Sequence, residues 1–210
     1  MIRLKKGVFV LSMGVLCVSG SGCGILNRAQ MYDQLSAEAE YLRSQVARLK
    51  EQQEESQSEL EKTRQALEKA LAKEISQSQA TLSVTDRGLI ISFQSEVFFD
   101  SGKAEVSASG EESLDRVIGV IQEESRKAAI AVEGHTDNQP IRYSGWRSNW
   151  DLSAARALAV LHYILSSSNM DPQHFSVAGY GEFRSRAANE TPEGRQQNRR
   201  VEIVIFPESK

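Results

Sequence analysis

The sequence predicts an α/β (α+β) sandwich over residues 81–210, preceded by a long helical segment over residues 27–80. Three observations predict this. Residues 31–75 contain no Gly and no Pro, and they place apolar residues on a seven-residue grid. From Thr81 the pattern changes to short strand-like runs bounded by turn residues. Two stretches with helical apolar spacing lie between those runs. Strands alternating with helices in this way make a layered fold, with both helices on one face of a sheet.

The chain opens with Arg3, Lys5 and Lys6, continues through the charge-free run Gly7–Val18, and reaches the small residues Ser19–Gly22 before Cys23. Basic, apolar, then small is the order of a secretory signal peptide, expected at residues 1–22. The apolar run falls short of the ~20 residues that a membrane span needs. Ser21, Gly22 and Cys23 together resemble the lipobox of bacterial lipoproteins, although Gly20 stands where that pattern usually has Leu. The resemblance implies lipidation of Cys23. It also implies the outer membrane, because Gly24 is not the Asp associated with inner-membrane retention. The other reading is an uncleaved anchor over residues 7–26. Either one attaches the chain to a membrane of the cell envelope and places the remainder outside the cytoplasmic membrane, facing the periplasm.

Residues 31–75 are rich in good helix formers. Tyr32, Ala39, Val46, Leu60 and Leu67 share one heptad position, and Leu35, Leu42 and Leu49 share the other. Gln53 and Ser56 interrupt the seam, and Thr63 and Glu74 weaken it. A sustained apolar repeat of this period predicts a coiled coil and a homo-oligomer through residues 31–75. A lone solvated helix is the alternative. Both give a rod of roughly 65–70 Å at ~1.5 Å per residue. Ser76–Ala80 is the expected hinge.

In the globular part, Asp86-Arg87-Gly88 supplies a turn between two strand-like halves of residues 82–93. Residues 107–126 form an amphipathic helix presenting Leu114, Val117, Ile118 and Ile121. Ala128–Glu133 is a strand, Leu152–Ser166 a second amphipathic helix, His174–Ala178 a strand, and Val201–Phe206 a terminal strand. Polar residues concentrate in the connections, where binding groups usually sit.

Composition excludes several functions. Lys and Arg number 25 against 28 Asp and Glu, so nothing favours a nucleic-acid partner held through phosphates. The two cysteines, Cys17 and Cys23, rule out a disulfide framework or a cysteine-based metal site in the globular part. His135 has no second His or Cys nearby in sequence, so no metal is expected. His162 and His174 read as packing residues. There is no G-x-S-x-G elbow and no phosphate loop. No catalytic residue and no cofactor are implied, and a wall hydrolase is disfavoured.

The motifs Gly134-His135-Thr136-Asp137-Asn138, Asn149, Leu152-Ser153, Arg156-Ala157, Gly179-Tyr180-Gly181-Glu182, Glu193-Gly194-Arg195 and Asn198-Arg199-Arg200-Val201 occur in that order. Together they resemble the OmpA-like (OmpA/MotB/Pal) peptidoglycan-binding domain. Phe98–Ala104 and the residues inserted after the HTDN motif resemble the MotB branch of that family. The resemblance implies a β/α/β/α/β-β fold with a mixed sheet and non-covalent binding of diaminopimelate in the peptidoglycan stem peptide.

Carried over by motif, Asp137 takes the ammonium and Arg156 the carboxylate, a group that suits a guanidinium better than an ammonium. Phe99, Asp100, Ser101 and Gly102 correspond to a loop lining the stem-peptide groove. Thr136 and Asn138 are further candidates. Asn149 stands where a helix N-cap is expected and caps, touches ligand, or both. The alternative for Asp137 and Arg156 is a structural ion pair with each other. Arg199 is expected to be solvated, Arg200 to pair with a carboxylate, and Glu193-Gly194-Arg195 to be structural. The leading function is a peptidoglycan tether. The alternative is a MotB-like, stator-related subunit, although residues 7–26 offer no ionisable group for proton conduction.

Overall fold

A computed structural model describes residues 23–142 and 145–207, with side chains from Met31 onward. The expected leader at 1–22 lies outside the described residues, as does the side chain of Cys23. Among the described residues, no helix is long and apolar enough to cross a membrane. The described residues divide into two units, with the boundary between Leu49 and Lys50.

Helix α1 runs from Cys23 to Ala70. In the first unit its seam residues Tyr32, Leu35, Leu42, Val46 and Leu49 are all exposed. In the second unit the same heptad grid meets a different partner. Leu60 and Leu67 are buried, with Leu71, in the core that also contains Leu114, Ile118 and Ile121. Thr63 Oγ1 lies 2.8 Å from Ser125 Oγ in a buried hydrogen bond. The globular unit therefore begins ahead of Thr81. The polar positions Gln53 and Ser56 separate the exposed seam from the leucines that enter the core. Leu67→Ala should destabilise the globular unit by about 2–5 kcal/mol, the usual range for a fully buried leucine. Urea unfolding tests this, and an unmoved midpoint would remove α1 from the core.

A short helix, α2 (Ala72–Ser76), follows. The Glu74 carboxylate is buried, accepts from Ser113 Oγ at 2.8 Å, and pairs with Arg116. Burial alone would raise its pKa, but these partners hold it below the ordinary carboxylate value. Ser76–Ala80, expected as a hinge, is a tight turn. Ser78 sits at φ 58, and Gln79 N donates to Glu74 O at 2.8 Å.

Strands β1 (Ala80–Thr85) and β2 (Gly88–Gln94) form the expected hairpin, closed at Gly88 with φ 125. After the single-turn helix α3 (Ser95–Phe98) comes α4 (Ala108–Glu124), capped by Ser107, whose side chain accepts from Gly110 N. Then follow β3 (Ile130–His135), α5 (Asn149–Ser167), β4 (Phe175–Gly179), α6 (Pro192–Asn198) and β5 (Arg200–Ile205). The sheet order is β1-β2-β5-β3-β4. β3 and β4 are parallel and the other neighbours antiparallel, so the sheet is mixed.

Alternation sorts β5. Val201, Ile203 and Ile205 join the apolar core, whereas Arg200 and Glu202 pair with each other at 2.6 Å. Leu114, Val117, Ile118 and Ile121 of α4 and Ala157, Val160 and Ile164 of α5 belong to the same core.

Two glycines set the height of α5 above the sheet. A Cβ on Gly134 would lie 2.0 Å from Ser153 O, and one on Gly179 would lie 2.4 Å from Ala154 N. The first turns of α5 thus rest directly on the backbone of β3 and β4. That close approach brings Arg156 beside the residues that follow β3. The N-cap of α5 is Ser148, whose side chain accepts from Asp151 N at 3.3 Å. Asn149, expected at the cap, is instead the first helical residue.

Candidate functional site

A cleft of about 580 Å³ opens where the end of β3, the start of α5, the loop after α3 and the residue before β5 meet. Its walls include Phe99, Ser101, Gly102, Thr136, Asp137, Asn149 and Arg156, all expected from sequence. Asp100 and Asn138 are not among its lining residues. The Asp100 side chain is exposed and pairs with Lys103 at 2.9 Å, so its contribution to the site is its backbone carbonyl. Asn138 is exposed, and its Oδ1 lies 3.4 Å from Gln139 Nε2.

Arg156 is 5% exposed. Its Nε donates to Lys103 O at 2.9 Å and Nη2 to Asp100 O at 3.4 Å, and the guanidinium sits 5.1 Å from the centre of the Phe99 ring. Among the described residues no carboxylate lies within ion-pair distance of it. Burial lowers its pKa to about 10, which leaves it cationic at neutral pH. A buried cation held only by carbonyls and a ring face is costly without an anion.

Asp137 is 6% exposed. Its Oδ1 accepts from Gln139 N at 3.0 Å and its Oδ2 from Arg199 Nη1 at 2.8 Å. Arg199 also reaches Glu96 at 2.7 Å. Asp137 and Arg156 are therefore not ion-paired to each other. Arg199, expected to be solvated, is half-buried and belongs to the site. Sequence reasoning missed this pair because Asp137 and Arg199 lie far apart in the chain and meet only when β5 settles beside β3. Two buried hydroxyls in the cleft wall, Ser95 Oγ and Thr136 Oγ1, have no hydrogen-bond partner among the described residues. Such groups cost about 1–3 kcal/mol each if left unpaired.

Asn149 ties the connections together. Its Nδ2 donates to Asp137 O at 3.3 Å, Gln139 O at 3.1 Å and Glu182 Oε2 at 2.8 Å. Trp146, in the insertion after the HTDN motif, donates from Nε1 to Gly102 O at 2.9 Å. The insertion is thus fastened to the loop that holds Arg156. Tyr143 and Ser144, within the same insertion, lie outside the described residues.

A second cluster lies on the polar side of the sheet. Glu133, His135 and Glu202 each place a potential ligand atom within 4.8 Å of the others. The sequence offered no partner for His135, and the fold supplies two carboxylates. Both are already engaged, Glu133 by Arg87 and Glu202 by Arg200. Burial, reinforced by Arg200, lowers the His135 pKa to about 3, so the ring is neutral. A cation here would face two guanidiniums, so the donor set reads as an ion-pair network around a neutral ring.

Residues 98–199 match the model of the OmpA family. This segment is an OmpA family domain. The chain is 37% identical over 151 residues to Motility protein B of Bacillus subtilis, covering 72% of this chain and 58% of that protein. The chain thus spans little more than half the length of that relative. Among solved structures, the cell wall anchor of the T6SS from Pseudomonas aeruginosa superposes with a TM-score of 0.62 at 30% identity, over 69% of this chain and 99% of that one. The periplasmic domain of Helicobacter pylori MotB superposes with a TM-score of 0.57 at 26% identity, over 62% and 83%. The OmpA domain here has the mixed sheet and the helix placement that the motifs implied.

Proposed function

We propose that this protein is anchored in a membrane, faces the periplasm, and grips peptidoglycan without covalent chemistry, tethering membrane to wall. The observation that carries the reading is Arg156, a buried cation in an open cleft with no described carboxylate within ion-pair distance. Diaminopimelate offers an ammonium and a carboxylate on one carbon. Its carboxylate meets the free edge of Arg156, and its ammonium shares Asp137 with Arg199. The orphan hydroxyls of Ser95 and Thr136 supply further polar partners. We read the cleft as binding and not catalytic, because its carboxylates, Asp137 and Glu96, are both held by the Arg199 guanidinium instead of being poised beside a nucleophile.

The anchor is a lipid on Cys23, with the outer membrane as its address, and the exposed seam of residues 31–49 joins copies into a homo-oligomer. Linked copies would grip a polymer with added avidity. The test uses the full chain in detergent with purified diaminopimelate-type sacculi. The protein should sediment with them. Free diaminopimelate should release it, and lysine, which lacks the second carboxylate group, should not. Equal release by both would overturn the assignment of the cleft.

A second reading, a MotB-like, stator-related subunit anchored to peptidoglycan, is favoured by the identity to the Bacillus subtilis protein. The fate of Cys23 separates the two. Incorporation of labelled fatty acid that Cys23→Ser abolishes supports the lipoprotein tether.

A further inference from the structure

Beside the cleft, two large aromatic side chains stand on the surface together. Trp150 is 49% exposed and Phe183 is 66% exposed. Their rings stack with centroids 5.1 Å apart and an interplanar angle of 22°. Single exposed apolar residues are ordinary. A stacked pair is a platform that holds both rings in one orientation, and Phe183, the more exposed of the two, offers aromatic surface to solvent.

The platform is fixed by the residues that fix the cleft. Trp150 directly follows Asn149, which lines the cleft and whose Nδ2 donates to Oε2 of Glu182, the residue before Phe183. The turn bearing Phe183 closes with Phe183 N donating to Tyr180 O at 3.2 Å. At its centre Gly181, with φ 55, receives Thr136 N on its carbonyl at 2.9 Å and donates to Ser153 Oγ at 2.9 Å. Thr136 is itself a wall of the cleft. Asp151 and Arg147, paired at 3.2 Å, lie near Trp150 in sequence and add polar groups to that end of α5.

We infer that the Trp150–Phe183 platform is a glycan subsite, taking the C–H face of an amino-sugar ring of the same polymer whose stem peptide enters the cleft. This rests on the proposed function. A pyranose ring is amphipathic: its axial C–H bonds form an apolar face, and its hydroxyls and N-acetyl groups point outward. An open aromatic face flanked by charged and amide groups matches both halves. Covalent reach supports the same occupant. A stem held by its third residue is joined to its sugar by a tether of about 10 Å, at ~3.3–3.6 Å per residue. The sugar of a seated stem therefore stays within about that reach of the cleft, and Trp150 is the neighbour in sequence of Asn149 in the cleft wall.

The test compares two probes on the full chain in detergent by calorimetry: the free stem tripeptide ending in diaminopimelate, and the disaccharide-tripeptide that carries it. Wild type should bind the disaccharide-tripeptide about tenfold more tightly. Phe183→Ala and the double variant Trp150→Ala/Phe183→Ala should bind both probes equally, at the wild-type affinity for the tripeptide. Trp150→Phe should keep most of the preference. An unchanged preference in the variants would overturn the subsite, as would equal binding of both probes by wild type. Loss of tripeptide binding in the variants would make the pair a support for the cleft and overturn the subsite as well. If wild type binds the disaccharide-tripeptide through the platform but ignores the tripeptide, the cleft reading fails and the glycan subsite stands.

Discussion

Arg156→Ala should lower affinity for the stem tripeptide by at least about 100-fold, the scale expected when one side of a desolvated charge pair is removed. The guanidinium has two N–H groups committed to Lys103 O and Asp100 O, and no described carboxylate lies within ion-pair distance of it. Its remaining N–H groups are the strongest unsatisfied donors of the cleft. Stability should change far less than binding. The variant loses two hydrogen bonds to carbonyls, but it also loses the cost of a buried charge, and these effects oppose each other. Arg156→Lys tests geometry separately from charge. An ammonium on a flexible stem cannot hold both carbonyls and present a planar fork, so tripeptide affinity should still fall by at least about tenfold. Calorimetry with the tripeptide, alongside unfolding midpoints, reads both effects. A folded Arg156→Ala variant with wild-type affinity would remove this residue from the site. Wild-type binding should be insensitive to Arg156 ionisation across neutral pH, because the group keeps its proton until about pH 10.

Gly134→Ala should unfold the globular unit or destabilise it by more than about 3 kcal/mol, beyond the usual overpacking cost. The new methyl would sit 2.0 Å from Ser153 O and 2.8 Å from Ser153 C. Those are backbone atoms of α5, so no side chain can swing aside. Relief requires the helix to lift from the sheet, which opens the packing around Ala157 and Val160 and moves Arg156 away from Asp137. Gly119→Ala is the matched control. A methyl there meets nothing within 4 Å on the exposed side of α4. It should stabilise by about 0.5–1 kcal/mol through helix propensity alone. Urea midpoints of both variants check the contrast. Equal, small shifts would show that α5 does not rest on Gly134.

The pattern of these residues explains what was legible beforehand. Alternation in residues 82–93 and 201–206 and the spacing of Leu114, Val117, Ile118 and Ile121 identify strands and a helix face from local order alone. Asp137 and Arg156 are reachable through motif resemblance. Arg199 is not, because its role depends on a partner brought to it by sheet pairing across distant segments. Ser95 and Glu96 are equally silent in sequence, since nothing local marks α3 as a cleft wall. Leu60 and Leu67 mislead for a different reason. A leucine on a heptad grid declares that it will be buried but not against what. Ser148 and Asn149 are adjacent polar residues with similar capping ability, so sequence alone does not tell which of them caps α5.

The strand order carries a consequence for how the chain acquires its grip. β5 is last in the chain yet lies between β2 and β3. Until it arrives, the β1–β2 hairpin and the parallel β3–β4 pair share no hydrogen-bonded edge. The apolar residues of both halves then have no finished core to enter. The five-stranded sheet therefore closes only once the last strand of the chain is available, a non-local pairing that comes late in folding. Because Arg199 stands at the threshold of β5, the same late event delivers the partner of Asp137. The Asp137–Arg199 pair of the cleft is therefore completed last.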